Sequence, residues 1–201
     1  MSRYRGPRLK VMRALGVQLP GLSSKSMEDR PFPPGEAGMK RRGRPSIYGM
    51  QLKEKQKLRF NYGHSERTFR RIMEKARRSR QQTGTKLLEL LERKLDNVVF
   101  RAGYAPTIPA ARQLVSHGHL LLNGVRTNIA SLTTKVGDVL ELKEKSQEIP
   151  SVKLSLMQPA LERPDWLSFD DSSGRTTITA LPTEDSVPFP VDVQLVVEFY
   201  S

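Results

Sequence analysis

The chain has 201 residues, with 34 Lys and Arg against 21 Asp and Glu, a formal net charge of +13 and no cysteine. That length allows one large domain or two small ones, and the absent cysteines exclude a disulfide framework, thiol catalysis and Cys-ligated zinc. So basic a balance points to a polyanionic partner, nucleic acid or an acidic membrane surface, while no uninterrupted apolar run approaches the roughly 20 residues of a membrane span. Residues 1–13 are charged throughout and lack the apolar stretch of a secretory signal. The charge is unevenly spread. Residues 1–82 hold 22 basic and 6 acidic side chains, residues 83–150 hold 9 and 7, and residues 151–201 hold 3 and 8. This asymmetry suggests a nucleic-acid-binding arm or face.

Residues 1–22 are a basic opening, Arg3, Arg5, Arg8, Lys10 and Arg13 among Gly6, Pro7, Gly16, Pro20 and Gly21, with room for a short helix over 9–15. Pro31, Pro33, Pro34 and Pro45 forbid a regular element in 23–46. The stretch is too polar to offset its ordering entropy, so its cluster Lys40, Arg41, Arg42 and Arg44 reads as an arm that orders on a partner rather than a plain linker. A helix is predicted over 47–62, where Lys53/Lys57 and Lys55/Arg59 form two basic ridges at i,i+4 spacing. Ser65 caps the next helix, whose Phe69, Ile72, Met73 and Ala76 form an apolar stripe. Arg67, Arg70, Arg71, Lys75, Arg77, Arg78 and Arg80 cover the rest, opposed only by Glu66 and Glu74. A merely solvated face is mixed in sign, so this one is read as facing phosphate.

Thr83-Gly84-Thr85 breaks and recaps the chain, and the spacing of Leu87, Leu88, Leu91, Leu95, Val98 and Val99 predicts one helix over 86–102, ended by Gly103. Thr107 caps a fourth helix with Pro109 in its first turn, Ala111, Leu114 and Val115 on its buried side, and Gly118 at its end. Asn123-Gly124 between β-prone runs is a strong hairpin signal, because a type I′ turn needs positive φ twice. Val136-Gly137-Asp138 makes another turn before a third strand at 139–142. Further strands fit 166–169 and 176–181. The run 191–200 is open between strand, from Val193, Leu195, Val196, Val197 and Phe199, and helix, from Pro190 and Asp192. There are no internal repeats.

His64, His117 and His119 offer at most three ligands without nearby paired carboxylates, so no metal and no cofactor is expected. Asp96 beside Arg93 and Lys94 reads as a local ion pair rather than a general base. No nucleophile elbow, phosphate-binding loop, zinc-protease helix or dinucleotide fingerprint is present, so the chain is not read as an enzyme. What remains is a binding constellation at helix ends and the hairpin turn: Arg93, Arg101, Arg112, Gln113, His117, His119 and Asn123, with Arg112 and Ser116 on one helix face. The planar fork of Arg suits phosphate, and His and Asn can bond a 2′-hydroxyl or a phosphate oxygen. The two histidines also fit plain helix-end capping. Only 6% of residues are aromatic, which disfavours base-stacking readout and favours recognition of folded RNA by shape and backbone.

The segments ERKLDNVVFRAG at 92–103, AARQLVSHGH at 110–119 and the Asn123-Gly124 turn closely resemble the alpha-L RNA-binding domain. Together with MSRYRGP at 1–7, LKEKQKLR at 52–59 before Tyr62-Gly63, and QLVVEFYS at 194–201, they make nearly the whole chain similar to the protein-four family of the small ribosomal subunit, in its bacterial and plastid form. The resemblance implies an α+β fold. A basic extended N-terminal arm at 1–46 precedes a helical domain at 47–90 that is completed by 186–201, the tail being a short helix. Inserted at 91–185, with its core at 91–145, is the alpha-L RNA-binding domain, two helices packed on a small antiparallel sheet. The resemblance also implies a structural constituent of the small ribosomal subunit that binds its ribosomal RNA early in assembly of the body and affects translational accuracy. Implied partners are small-subunit ribosomal RNA, neighbouring small-subunit ribosomal proteins and messenger RNA near the path by which it enters, with neither membrane nor DNA. The implied location is the ribosome, in bacterial cytoplasm or plastid stroma.

The candidate RNA contacts are Arg3, Arg5, Arg8, Lys40, Arg41, Arg42 and Arg44 in the arm and Lys53, Lys57, Arg70 and Arg71 on the helices. In the module they are Arg93, Arg101, Thr107, Arg112, Gln113, Ser116, His117, His119 and Asn123. The chain departs from the family in two places. The cysteine zinc cluster of some bacterial members has no counterpart, and the family's PPGQHG stretch stands here as PPGEAG at 33–38, losing a polar ring and gaining a negative charge. Residues 146–165 match nothing in the family to which a role attaches. Two rivals use the same module: an RNA-modifying enzyme and a repressor of its own messenger's translation. The first needs a catalytic domain of about 150 residues, and neither 1–90 nor 151–201 has the composition for one.

Overall fold

A computed structural model describes residues 4–35 and 45–201, and its contacts fall into two units, residues 1–87 with 188–201 and residues 88–187. In the first, the helix expected near 9–15 is α1 (Arg8–Leu15). Met12, Leu15, Leu19 and Leu22 are buried, and the Gly21 N–H donates to Asn61 Oδ1 at 2.9 Å. Residues 8–23 thus pack into this unit instead of standing apart as the expected extended arm, while 24–35 hold no helix or strand and are largely exposed. Apolar residues recur often enough over 12–22 to bury a face, which the basic residues between them obscure in sequence.

Ser46 caps α2 (Ile47–Asn61) and Ser65 caps α3 (Glu66–Arg77), each hydroxyl accepting from a backbone N–H three residues on. The tail run left open between strand and helix is helical, α9 (Val193–Phe199), and it packs along α2. Asp192 decides this locally, because its carboxylate accepts from the N–H groups of both Gln194 and Leu195. Leu58, Tyr62, Phe69, Met73, Ala76 and Val196 are buried in this unit.

The chain passes into the second unit within α4 (Thr83–Glu92), which is followed by α5 (Leu95–Arg101). These two replace the single helix expected over 86–102. Lys94 is extended, φ −72° and ψ 137°, and pairs with Thr133 in an isolated antiparallel bridge. Leu95 N–H donates to Leu132 O at 2.9 Å, and Thr134 N–H donates to Arg93 O at 2.9 Å. The leucine spacing runs unbroken through the joint, so periodicity alone cannot see it. Only residues 130–134, distant in sequence, supply the partners that make the break favourable.

Thr107 caps α6 (Ile108–Ser116), with proline in the first turn. A five-stranded, wholly antiparallel sheet follows in the order β2-β1-β3-β5-β4, from β1 (Leu120–Leu122), β2 (Val125–Thr127), β3 (Val139–Leu142), β4 (Leu167–Asp170) and β5 (Arg175–Ile178). Asn123 at φ 52° and Gly124 at φ 76° make the expected hairpin turn and set Leu122 opposite Val125. Between β3 and β4 lie α7 (Glu144–Gln147) and α8 (Pro150–Met157). The architecture is α+β, as the sequence implies.

Tyr104 ties the sheet to the helices. It is wholly buried, and its hydroxyl lies 2.8 Å from Gly174 O, 3.3 Å from Leu140 O and 2.9 Å from Thr176 Oγ1. Burial pushes the phenol up to about 12, so it stays a donor. Tyr104→Phe keeps the ring but removes the one hydroxyl proton, which the nearest carbonyl, Gly174 O, is best placed to accept. We expect a loss of about 1–3 kcal/mol, seen as a lower urea midpoint with unchanged slope.

Candidate nucleic-acid interface

The cations of α2 and α3 have different fates. On α2, Lys57 is buried, sits 2.6 Å from Glu54 and donates to Pro190 O at 3.2 Å. Lys55 is buried 3.0 Å from Glu66, with its ammonium 4.3 Å from the Phe199 ring centre. Arg59 donates to Gln56 at 2.6 Å and lies 4.3 Å over Phe60. Burial raises the Glu66 carboxyl, but bonds from the Tyr200 hydroxyl and the Lys55 ammonium outweigh it and hold the group below its usual range. The expectation of two basic ridges is thus corrected. Lys53 is exposed, while Lys57 is absorbed by a carboxylate one turn away and a carbonyl from the tail. The i,i+4 spacing of cations shows neither partner.

On α3 the reverse holds. Phe69, Met73 and Ala76 are buried, and Arg67, Arg70, Arg71, Lys75, Arg77, Arg78 and Arg80 are all exposed. Arg67, Arg70 and Arg71 line an open groove of about 410 Å³ with Glu66 and Glu74. Cations this crowded repel one another, and an anion laid along them relieves that repulsion while releasing its own counterions. Arg5 is exposed, as is Arg8, which reaches Leu22 O at 3.3 Å. Arg3, Lys40, Arg41, Arg42 and Arg44 lie outside the described residues.

In the second unit much of the expected polar cluster is engaged by partners within the protein, and Arg101 and Thr107 are buried. Asp96, 1% exposed, takes the guanidinium of Arg112 through Nε at 2.9 Å and through Nη2; of the expected local partners Lys94 still acts on it, while Arg93 turns to Glu89. Burial pushes the Asp96 carboxyl up, and Arg112 and Lys94 pull it back; burial also lowers the Lys94 ammonium. Arg93 pairs with Glu89 at 2.6 Å and donates to Thr134 O at 2.9 Å. Arg101 is buried, donates to Ser186 O at 2.9 Å and lies 3.7 Å from Glu92. Thr107 caps α6. Asn123 accepts from Val139 N–H and donates to Asp138, and the Ser116 hydroxyl donates to Arg112 O. These side chains all have partners within the protein, while Ser116 and Asn123 remain exposed.

Gln113 and His117 stay exposed. His119 is half-buried, with Nδ1 3.0 Å from Ser146 Oγ, and its ring centre is 6.0 Å from that of His117. All three line one cleft. Among the described residues no group of three His, Asp or Glu converges as a metal site requires, and no helix is long and apolar enough to cross a membrane. Sequence reasoning misses Arg126, whose guanidinium lies over Gly118. The available signal is the hairpin register, which sets Arg126 opposite Leu121.

Residues 3–92 match the family profile described as ribosomal protein S4/S9 N-terminal domain, and residues 93–140 match that of the S4 domain. The junction falls at the break between α4 and α5. Along its whole length the chain is 56% identical to small ribosomal subunit protein uS4 of Methylobacillus flagellatus and 57% identical to small ribosomal subunit protein uS4B of Nitrosomonas europaea, covering 98% of each. Against small ribosomal subunit protein uS4 of a Synechococcus strain the identity is 50%, with the same coverage.

The Asp96–Arg112 pair generates a stability test. Arg112→Met leaves a buried carboxylate without its cation, and we expect a loss of about 3–5 kcal/mol. Adding Asp96→Asn should recover part of it. The measurement is chemical denaturation of the single and double variants.

Proposed function

The chain belongs to the uS4 family of small ribosomal subunit proteins and is a structural component of that subunit rather than an enzyme; from this premise we propose that it binds small-subunit ribosomal RNA directly, early in assembly of the body, and contributes to translational accuracy. Its partners are ribosomal RNA and ribosomal proteins. Messenger RNA near the path by which it enters the subunit is the further partner we propose. The ribosome in question is that of a bacterial cytoplasm or a plastid stroma, and the bacterial relatives favour the former.

The observation that carries this reading is the open cationic face of α3, where exposed Arg67, Arg70, Arg71, Lys75 and Arg77 outnumber Glu66 and Glu74, while Lys55 and Lys57 of α2 are paired internally. A rigid helix bearing Arg70 and Arg71 fits crowded phosphates where RNA helices meet. The planar guanidinium gives two parallel donors per phosphate. The S4-domain residues 93–140 add a small, nearly neutral surface whose preformed shape sets register. Affinity and register thus reside in different parts of the chain.

Co-sedimentation with small subunits, and crosslinking that recovers a junction of their RNA, is the expected result. Recovery of mainly transfer RNA or DNA would sink the reading. Affinity should fall linearly on a log–log plot against salt. Arg70→Glu with Arg71→Glu should weaken binding by more than about tenfold and flatten that plot by about two charges' worth of slope. Glu184→Lys with Asp185→Lys should not weaken it, and equal effects of the two pairs would refute the charge assignment.

A further inference from the structure

We propose that the cleft between α6 and the start of α8 receives a single unpaired base of the bound RNA, with the adjoining phosphate held by Arg126. This rests on RNA binding as proposed above and adds the mode of contact.

The cleft holds about 240 Å³, below the roughly 300–1,000 Å³ of sites for whole small molecules, so it takes a flat ring system rather than a complete cofactor. Pro106, Leu114 and Ile149 supply apolar walls, and Gln113, His117 and His119 bring polar groups to it. Gln113 and His117 are i,i+4 on α6, so both project from one face. An apolar slot with a few convergent hydrogen-bonding groups matches a base, which is apolar on its faces and polar along its edges. The Gln113 amide has both donors and an acceptor for such an edge. His119 is held through Nδ1 by Ser146, leaving Nε2 as the ring's other polar atom, and the tilted His117 ring is a stacking surface.

Charge complementarity argues for a nucleotide over an apolar protein side chain. A Cβ on Gly118 would fall 2.5 Å from Arg126 Nε and 2.8 Å from Nη2. The guanidinium therefore lies over the peptide between the two histidines, a placement that only glycine, here at φ +70°, allows. Arg126 is exposed and makes no ion pair among the described residues. Arg126 does not line the slot itself, but a cation held against the peptide that joins two of its lining histidines is the arrangement a nucleotide needs and a hydrophobic side chain does not. The family resemblance of the module gives no role to Ile149, and recognition by shape and backbone alone leaves the slot unused.

The test uses the full chain and small-subunit ribosomal RNA, reading affinity, salt slope and base-by-base reactivity to reagents that attack Watson–Crick edges. In the wild-type complex we expect one unpaired base to be protected. Gln113→Ala, and Ala110→Met, which fills the slot, should each restore that base's reactivity and weaken binding about tenfold with the salt slope unchanged. Arg126→Ala should lower the slope by about one phosphate's worth. Because Gln113 is exposed, its variant reads the slot even if the Ala110 variant misfolds. Wild-type binding with footprint and affinity unmoved by both slot variants overturns the base site while leaving the RNA-binding reading intact. Loss of association with subunit proteins without any change in the RNA footprint also overturns it, in favour of a protein side chain as occupant. Failure of the wild-type chain to bind the RNA at all fails the parent reading instead.

Discussion

The buried carboxylate of Asp96 constrains much of the second unit. A charge removed from water is tolerated only when its hydrogen-bonding positions are filled. Arg112 fills them from α6 and the Asn97 N–H fills another from the start of α5. The pair therefore fixes one helix against the other, two guanidinium donors converging on Asp96 Oδ2 in a contact that a displacement of α6 would break. The outward face of α6, with Gln113 and His117, inherits that placement. The same joint is held from the other side by residues 130–134, whose backbone groups pair with Arg93, Leu95 and Asp96. An ion pair of this kind adds little net stability over an apolar substitute but specifies one arrangement, since alternatives leave a bare buried charge.

Charge is sorted in the first unit by what packs nearby. Lys55 and Lys57 of α2 meet Glu66, Glu54 and the tail, because α9 lies along that helix and covers it. The cations of α3 have no such cover. Neighbouring helices of similar composition thus end with opposite electrostatic character, one neutralised and structural, the other left for an external anion. The acidic residues of 151–201 add to this sorting, with Glu198 reaching Gln51 and the Asp192 N–H reaching Glu54.

Several elements were legible in the chain itself. Ser65, Thr107 and Asn123-Gly124 each encode a local backbone geometry in a few consecutive residues, and each performs it. The basic stripe of α3 was legible because its partners would have to be acids close in sequence, and there are almost none. The break between α4 and α5 was not legible. It depends on hydrogen bonds from a segment about forty residues away, and the leucine spacing is indifferent to it. Nor was the inward turn of Arg101, or the second bond of Arg93, since nothing local distinguishes an arginine that reaches phosphate from one that satisfies the distant carbonyl of Ser186 or Thr134. Ile149 reaches the cleft, and Arg126 reaches Gly118 beside it, only because α8 and the hairpin fold back near α6.

By itself the sequence determined the α+β class, the helix caps, the hairpin register, the placement of positive charge in the first 82 residues and, through its motifs, the family. Each of these is written in short-range spacing or in composition. Tertiary structure alone decided which cations remain available to RNA, that the tail helix lies on α2, that Gln113, His117 and His119 meet at one cleft, and that Arg126 lies against the Gly118 peptide between the two histidines. Availability is a property of what lies within a few ångströms in space, and residues such as Glu54 and Pro190 or Gly118 and Arg126 become neighbours only when the chain is folded.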